Sequence, residues 1–417
     1  MWYVGARADD CCHGRMDSHR NRGVLFVWNL KSVLLKGRLL MRHILTLLAT
    51  TSLLLLSNCG RDNSSPVGSY PVGLPTTQPI TPVSSVSPYQ DVRWKDLRQA
   101  ETQLDTNIVK TFLFNEGTVW PPGFKAYAES LLSKGKNPGL GIRNIHRQGL
   151  TGKGVAVAII DQNLCRAHPG RDHPEFAGKI VEYHDVGCNQ PVTEGSMHGP
   201  AVASLLVGST IGTAPDARVY YVAAPMWRGD AEALADALDW ITERNSGLSD
   251  NMRIRVVSVS AAPSGPGSPF RNGAAWDSAF ARATRAGILV LDCTWDHCIT
   301  TPCYYDLNDP EDLSKCTPGF PGAEQAFDSD RLCVPLRRTT AEQYHSGSYS
   351  YQYTGRGGLS WTVPYVAGVL ALGWQLRPDL SGEQVMHLLR ASAYSKGDQI
   401  KVVNPTAFID SVRAHPH

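Results

Sequence analysis

Three side chains of this 417-residue chain, Asp161, His198 and Ser360, are of the types that together turn a hydroxyl into a nucleophile. A serine attacks a carbonyl carbon only when a general base takes its proton and nearby donors stabilise the oxyanion that forms. Imidazole has the ordinary pKa that suits the base role near neutral pH. A carboxylate can hold that ring in the required tautomer and stabilise its charged form. Taken singly, each residue has a plainer explanation: Asp161 as a turn cap, His198 as a hydrogen-bonded helix start, Ser360 as an N-cap. Their order and their settings make them a set.

Those settings are strand ends and helix starts. The turn-rich run Gly149 to Gly154 leads into Val155-Ala156-Val157-Ala158-Ile159-Ile160, a continuous apolar stretch of the kind buried on both faces of a parallel sheet, and Asp161 ends it. In open α/β sheets, ligands sit beyond the carboxyl ends of the strands, where Asp161 would lie. His198 opens a helical run of apolar and small residues that closes near Gly208. Ser360 stands at the start of a strongly apolar helical run inside Gly357-Gly358-Leu359-Ser360-Trp361-Thr362-Val363-Pro364-Tyr365-Val366-Ala367-Gly368.

Asp, then His, then Ser is the chain order of subtilisin. Over about residues 138 to 395 the chain resembles the subtilisin-like serine protease (subtilase) family. Ile159-Ile160-Asp161 is similar to its aspartate motif and His198-Gly199 to its histidine motif. Gly358-Leu359-Ser360, with Pro364, Val366, Ala367 and Gly368, is similar to its serine motif. Gly212 to Ala217 resembles the turn before the next core strand. The motifs are separated by 37 positions (161 to 198) and 162 positions (198 to 360). The departures are Pro200 and Ala201 after the His-Gly pair, Leu359 before the serine, and Trp361 and Tyr365 after it. The resemblance implies an α/β fold, a mostly parallel sheet with helices on both faces. It further implies an endopeptidase in which Ser360 attacks the peptide carbonyl, His198 shuttles the proton and Asp161 orients the histidine through an acyl-enzyme. A catalytically silent member of the same fold, used as a surface binding or scaffold module, is the alternative, and an esterase with the same three groups a weaker one.

The oxyanion donor is the open position. After the strand Gly287 to Leu291, the resemblance puts Asp296 where the family carries an amide. An ionised carboxylate would repel an oxyanion, so Asp296 could help only if protonated. A solvent-facing Asp296 with another donor is equally open, with Asn272 and Asn308 as further candidates, and the backbone amide of Ser360 at a helix start adds to either. The strand Val256 to Ser260 resembles the segment bordering the family's substrate cleft, so Ser258, Val259 and Ser260 are candidates for pairing with an extended peptide; an ordinary core strand has the same composition. Trp295 and Asp292 are candidates for the pocket wall, Asp292 alternatively for a structural ion pair.

The remaining sequence bounds the setting. Formal net charge is +2 with both signs mixed throughout, which gives no footprint for nucleic acid. Met41-Arg42-His43, the apolar run Ile44 to Leu56 and Ser57-Asn58-Cys59 have the layout of a secretion signal, too short for a membrane span. Leu56 to Cys59 resembles a bacterial lipobox with Cys59 as the lipidated residue, so the protein is expected outside the cytoplasm, anchored to a bacterial membrane or secreted. The expected organisation is an upstream extension or mis-assigned start over 1–40, the signal over 41–59 and a tether rich in Pro, Ser and Thr over 60–92. A helical segment over 93–137, read as an embellishment rather than a pro-segment, then precedes a catalytic domain over 138–417. Seven cysteines follow Cys59, an odd number: Cys165, Cys188, Cys293, Cys298, Cys303, Cys316 and Cys333. In an exported chain they favour disulfides, with Cys165 and Cys188 bracing the loop after Asp161. His297 among them raises a metal site, but zinc-type paired spacing is absent, so no metal or cofactor is expected, and the expected partner is a protein or peptide substrate.

Overall fold

The computed structural model describes residues 79–165, 172–189, 195–319, 331–343, 349–397 and 399–416. The signal segment, Cys59 and most of the expected tether lie outside the described residues. Residues 79–137 contain β1 (Thr81–Pro82), β2 (Lys95–Asp96), α1 (Thr106–Val109), β3 (Leu113–Asn115) and α2 (Pro122–Lys134). The folded part thus includes residues ahead of position 93: β1 pairs with β2, and Val92 is fully buried. Leu97, Leu104, Val109 and Phe112 are buried together with Phe114 and Trp120. The segment is nevertheless less helical than its apolar spacing suggests, because Leu113–Asn115 is drawn into a strand by a partner more than two hundred residues away.

After α3 (Ile142–Arg147) the chain enters β4 (Ala156–Asp161), followed by β5 (Ile180–Asp185), α4 (His198–Val207), β6 (Arg218–Ala223), α5 (Ala231–Ser246), β7 (Ile254–Val259), α6 (Gly273–Arg285) and β8 (Leu289–Leu291). The five strands form one sheet in the order β5-β6-β4-β7-β8, and every neighbouring pair is parallel. All six residues of β4 are buried, as the continuous apolar run requires of a central strand covered on both sides. Side chains alternate across a strand. Val157 and Ile159 therefore join the core on the α4 side, while Ala156, Ala158 and Ile160 join the core with Leu234, Leu238 and Trp276 of α5 and α6. Asp161 continues the first alternation and faces α4.

The rest of the domain is β9 (Thr300–Tyr304), β10 (Thr317–Pro318), β11 (Leu332–Pro335), β12 (Arg338–Glu342), β13 (Ser350–Thr354), α7 (Leu359–Leu376), α8 (Gly382–Ala391), β14 (Tyr394–Lys396), β15 (Ile400–Val402) and α9 (Pro405–Ala414). A mixed sheet has the order β10-β9-β11-β15-β14, and an antiparallel one the order β12-β13-β3. Helix α7 packs on α4, β7 and β9 and is buried from Trp361 to Trp374, which accounts for its apolar composition all round. The expected mostly parallel sheet with helices on both faces is observed. The mixed sheet, the antiparallel sheet and the β1–β2 pair were not anticipated.

Candidate active site

Asp161 is fully buried at the carboxyl end of β4, and its Oδ1 accepts from His198 Nδ1 at 2.7 Å and from the Gln162 backbone N–H at 2.8 Å. Its Oδ2 is buried without a hydrogen-bond partner. His198 reaches it from the first position of α4, itself 8% exposed. Gly199 makes the approach possible: a Cβ there would stand 2.3 Å from the Gln162 carbonyl oxygen and 2.6 Å from the Tyr221 hydroxyl. The His-Gly pair is thus a packing requirement for bringing the ring to the strand end. Burial works against a charged His198 ring, but the Asp161 carboxylate and its hydrogen bond outweigh it and raise the imidazole pKa above its ordinary value.

Ser360 is the second residue of α7, beneath Gly358 at the N-cap. Four residues further on, Pro364 has no N–H, so the Ser360 carbonyl lacks the usual intrahelical donor. The Ser260 hydroxyl supplies one, donating to that carbonyl at 2.9 Å. In return the Ser360 hydroxyl donates to the Ser260 carbonyl at 3.2 Å. Ser260 follows the last residue of β7, the strand beside β4, so this reciprocal pair ties the serine-bearing helix to the sheet edge near Asp161. Trp361 is buried and sets its ring edge against the His198 ring, centroids 5.6 Å apart, over Ala201, Leu205 and Ile211. Its indole nitrogen has no partner. Neither the Ser260 contact nor the Trp361 contact was foreseen; the signal for the first was Pro364, four positions after the serine.

The other expected site residues are dispersed. Asp296 is exposed on the loop after β8, its Oδ2 facing Gly265. Asn272 occupies a left-handed backbone position before α6 and donates to Asp230 at 3.1 Å, and Asn308 accepts from Lys134 at 2.6 Å, so both amides are engaged elsewhere. Ser258 is buried within β7 with its backbone flanked by β4 and β8 in register, and cannot offer an edge; Val259 and Ser260 lie past the end of β8. Asp292 is a structural acceptor: Trp276 Nε1 and the Thr294 N–H each donate to it at 2.9 Å, and His297 Nδ1 stands 2.9 Å from its Oδ1 as an ion-pair contact. That pairing also accounts for His297. Trp295 is part exposed, with the Arg331 guanidinium 4.2 Å above its ring.

The cysteines differ from expectation. Cys188, Cys293, Cys298, Cys303, Cys316 and Cys333 are buried unlinked thiols, and Cys165 is likewise buried. The Cys188 backbone N–H donates to Asp185 Oδ1 at 2.7 Å, and burial pushes the Cys188 thiol up to about 12. Cys303 lies in β9 opposite Pro318 of β10, two positions past Cys316, and in register with Pro335 of β11, the strand that carries Cys333. No helix among the described residues is long and apolar enough to cross a membrane.

Fold and site together define a doubly wound α/β protein with a buried Asp-His pair and a helix-start serine gathered beyond the carboxyl end of its parallel sheet. Residues 152–294 match the family model of the subtilase family, the subtilisin-like peptidases. The chain is 26% identical over 266 residues to Subtilisin BL of Lederbergia lenta, covering 60% of this chain and 88% of that one. It is 26% identical to an alkaline protease of Alkalihalobacillus alcalophilus, again over 60% of this chain but only 62% of that protein's length. Among solved structures, a protease of Pseudoalteromonas arctica PAMC 21717 matches with 18% identity and a TM-score of 0.47, covering 69% of this chain and 96% of that one.

Proposed function

We propose that this chain is an exported serine endopeptidase in which Ser360 attacks a peptide carbonyl, His198 takes and returns the proton, and Asp161 orients the ring. The observation that carries this reading is the buried Asp161–His198 contact of 2.7 Å beside the helix that begins with Leu359-Ser360. The sequence of events follows from the chemistry of the groups. Deprotonation by the neutral imidazole accompanies attack, and the resulting imidazolium is held by Asp161. Proton return releases the amine, and water repeats the cycle on the acyl-enzyme. The Ser360 backbone N–H, in the first turn of an 18-residue helix and so without an intrahelical acceptor, is one oxyanion donor. Asp296 is not assigned as another, since it is exposed on the loop after β8 with its Oδ2 turned toward Gly265. Attack requires the Ser360 hydroxyl to leave the Ser260 carbonyl by a rotation about Cα–Cβ, a picosecond-to-nanosecond motion for an accessible side chain.

That same hydroxyl contact favours a second reading, a silent subtilase-fold surface protein in which Ser360 is a structural link. Incubation with an unbiased peptide mixture decides between them. New amino termini that appear with wild type and vanish with Ser360→Ala are expected; none with folded wild type would leave the silent reading. The export signal and lipid attachment at Cys59 belong to the same proposal, and radiolabelled fatty acid incorporated by wild type but not by Cys59→Ala tests the anchor.

A further inference from the structure

Residues 79–137 dock on the hairpin β12–β13, and that hairpin delivers the chain into the serine-bearing helix: β13 ends at Thr354, and α7 opens five positions later at Leu359. Strand β3 extends the hairpin sheet, with Asn115, Phe114 and Leu113 in register with Gln352, Tyr353 and Thr354. Just past β13, the Gly355 N–H donates to the Phe112 carbonyl at 2.8 Å, and a Cβ at Gly355 would lie 2.3 Å from the Lys110 carbonyl oxygen. Tyr353 is the one residue of the hairpin in the segment's own apolar cluster, its ring 5.1 Å from Phe114 and its hydroxyl on the Lys110 carbonyl.

A polar hub completes the joint. Glu342, at the end of β12 and 3% exposed, accepts from Asn115 Nδ2 at 2.8 Å, from Arg93 Nη1 at 3.4 Å and from the Ser350 hydroxyl at 2.6 Å. Arg93 also donates to Gln352 at 3.0 Å. At the other end, the fully buried Arg338 of β12 donates to the Gly135 carbonyl behind α2. Two of the three donors to Glu342 come from residues 79–137. Truncating either donor within the intact segment would leave this buried carboxylate short of a partner, a costly arrangement. A pro-segment destined for removal would not be expected to hold such a joint.

We propose that residues 79–137 are a resident clamp, retained in the working enzyme, that fixes the β12–β13 hairpin and through it the approach to Ser360, with Arg93 and Glu342 as positioning residues. The proposal rests on the reading of Ser360 as nucleophile for its functional half, and on the contacts alone for retention. Its test is peptide mapping of the purified exported protein after reaction with a fluorophosphonate probe, together with amide hydrogen exchange on wild type, Arg93→Met and Arg93→Lys. Labelled molecules are expected to carry residues 79–137 intact. Arg93→Met is expected to speed exchange over Tyr351–Gly355 at least about tenfold and to slow labelling by a similar factor, with Arg93→Lys restoring part of both. Labelled protein lacking residues 79–137, or Arg93→Met with exchange and labelling both unchanged, overturns the clamp. Absence of labelling in every form would count against the nucleophile and hence the positioning role, while the map of the same sample still decides retention.

Discussion

Replacing Asp161 by Asn removes one charge while the surrounding backbone dictates how the new side chain sits. The Gln162 N–H and His198 Nδ1 both require an acceptor at the Oδ1 position. The Asn oxygen therefore stays there, and its NH2 group takes the place of Oδ2, which is buried without a partner. The ring keeps its neutral tautomer and loses only the carboxylate that stabilises the imidazolium. For unit charges about 4 Å apart at an effective dielectric constant of about 20, that loss is about 4 kcal/mol, roughly a thousandfold in rate. A swap that also imposed the wrong tautomer would cost about tenfold more. Burial alone then acts on His198, so its pKa moves from above its ordinary value of 6.5 to below it. Because the neutral ring is the base, wild-type kcat/KM should rise with pH through a limb above 6.5, and in Asp161→Asn that limb should fall below 6.5. Peptide hydrolysis measured as a full pH profile reads both quantities. A rate loss under about tenfold, or a limb that does not move, would refute the assignment of Asp161 as the group that holds the charged ring.

Other substitutions probe single contacts. Ser260→Ala leaves the Ser360 carbonyl with neither a helix donor nor a hydroxyl, a penalty of roughly 1–3 kcal/mol. It should appear mainly in kcat, measured by steady-state hydrolysis, while Ser260→Thr retains much of the rate. Gly199→Ala drives a methyl against the Gln162 carbonyl and should cost about 1–3 kcal/mol in urea unfolding together with most of the activity. Asp296→Asn replaces an exposed carboxylate by a donor. An increase in kcat would place that loop at the oxyanion, and no change within about twofold is expected from its present orientation toward Gly265. Under oxidising conditions Cys303 and Cys316 are the thiols best placed to link, since Cys303 pairs in register with Pro318, two positions past Cys316; mass mapping without reductant should recover their peptides joined, and separate peptides would contradict the linkage.

Local patterns carried the sheet and the three chemical groups; distant pairings did not reveal themselves. The run Val155 to Ile160 could only be a strand covered on both faces, and the helix starts at His198 and Leu359 were marked by small and apolar residues with nearby glycines. Leu113–Asn115 gave no such mark, because its strand character comes from β13, and short apolar stretches take the structure their tertiary partners impose. The same reason hid the mixed sheet of β9, β11 and β15, whose strands are only three to five residues long. Ser260 looked like part of a substrate-binding edge by its strand context. Its hydroxyl's role at the Ser360 carbonyl depends on Pro364, a hundred positions further along, and follows only when the missing helix donor is counted.

Fluorophosphonate labelling of the purified protein, beside Ser360→Ala and His198→Ala with their folding verified by circular dichroism, tests the central claim most directly. An activated Ser360 requires covalent labelling of wild type at that residue and its loss in both variants. Folded wild-type protein that takes no label, or label that persists in His198→Ala, would contradict it.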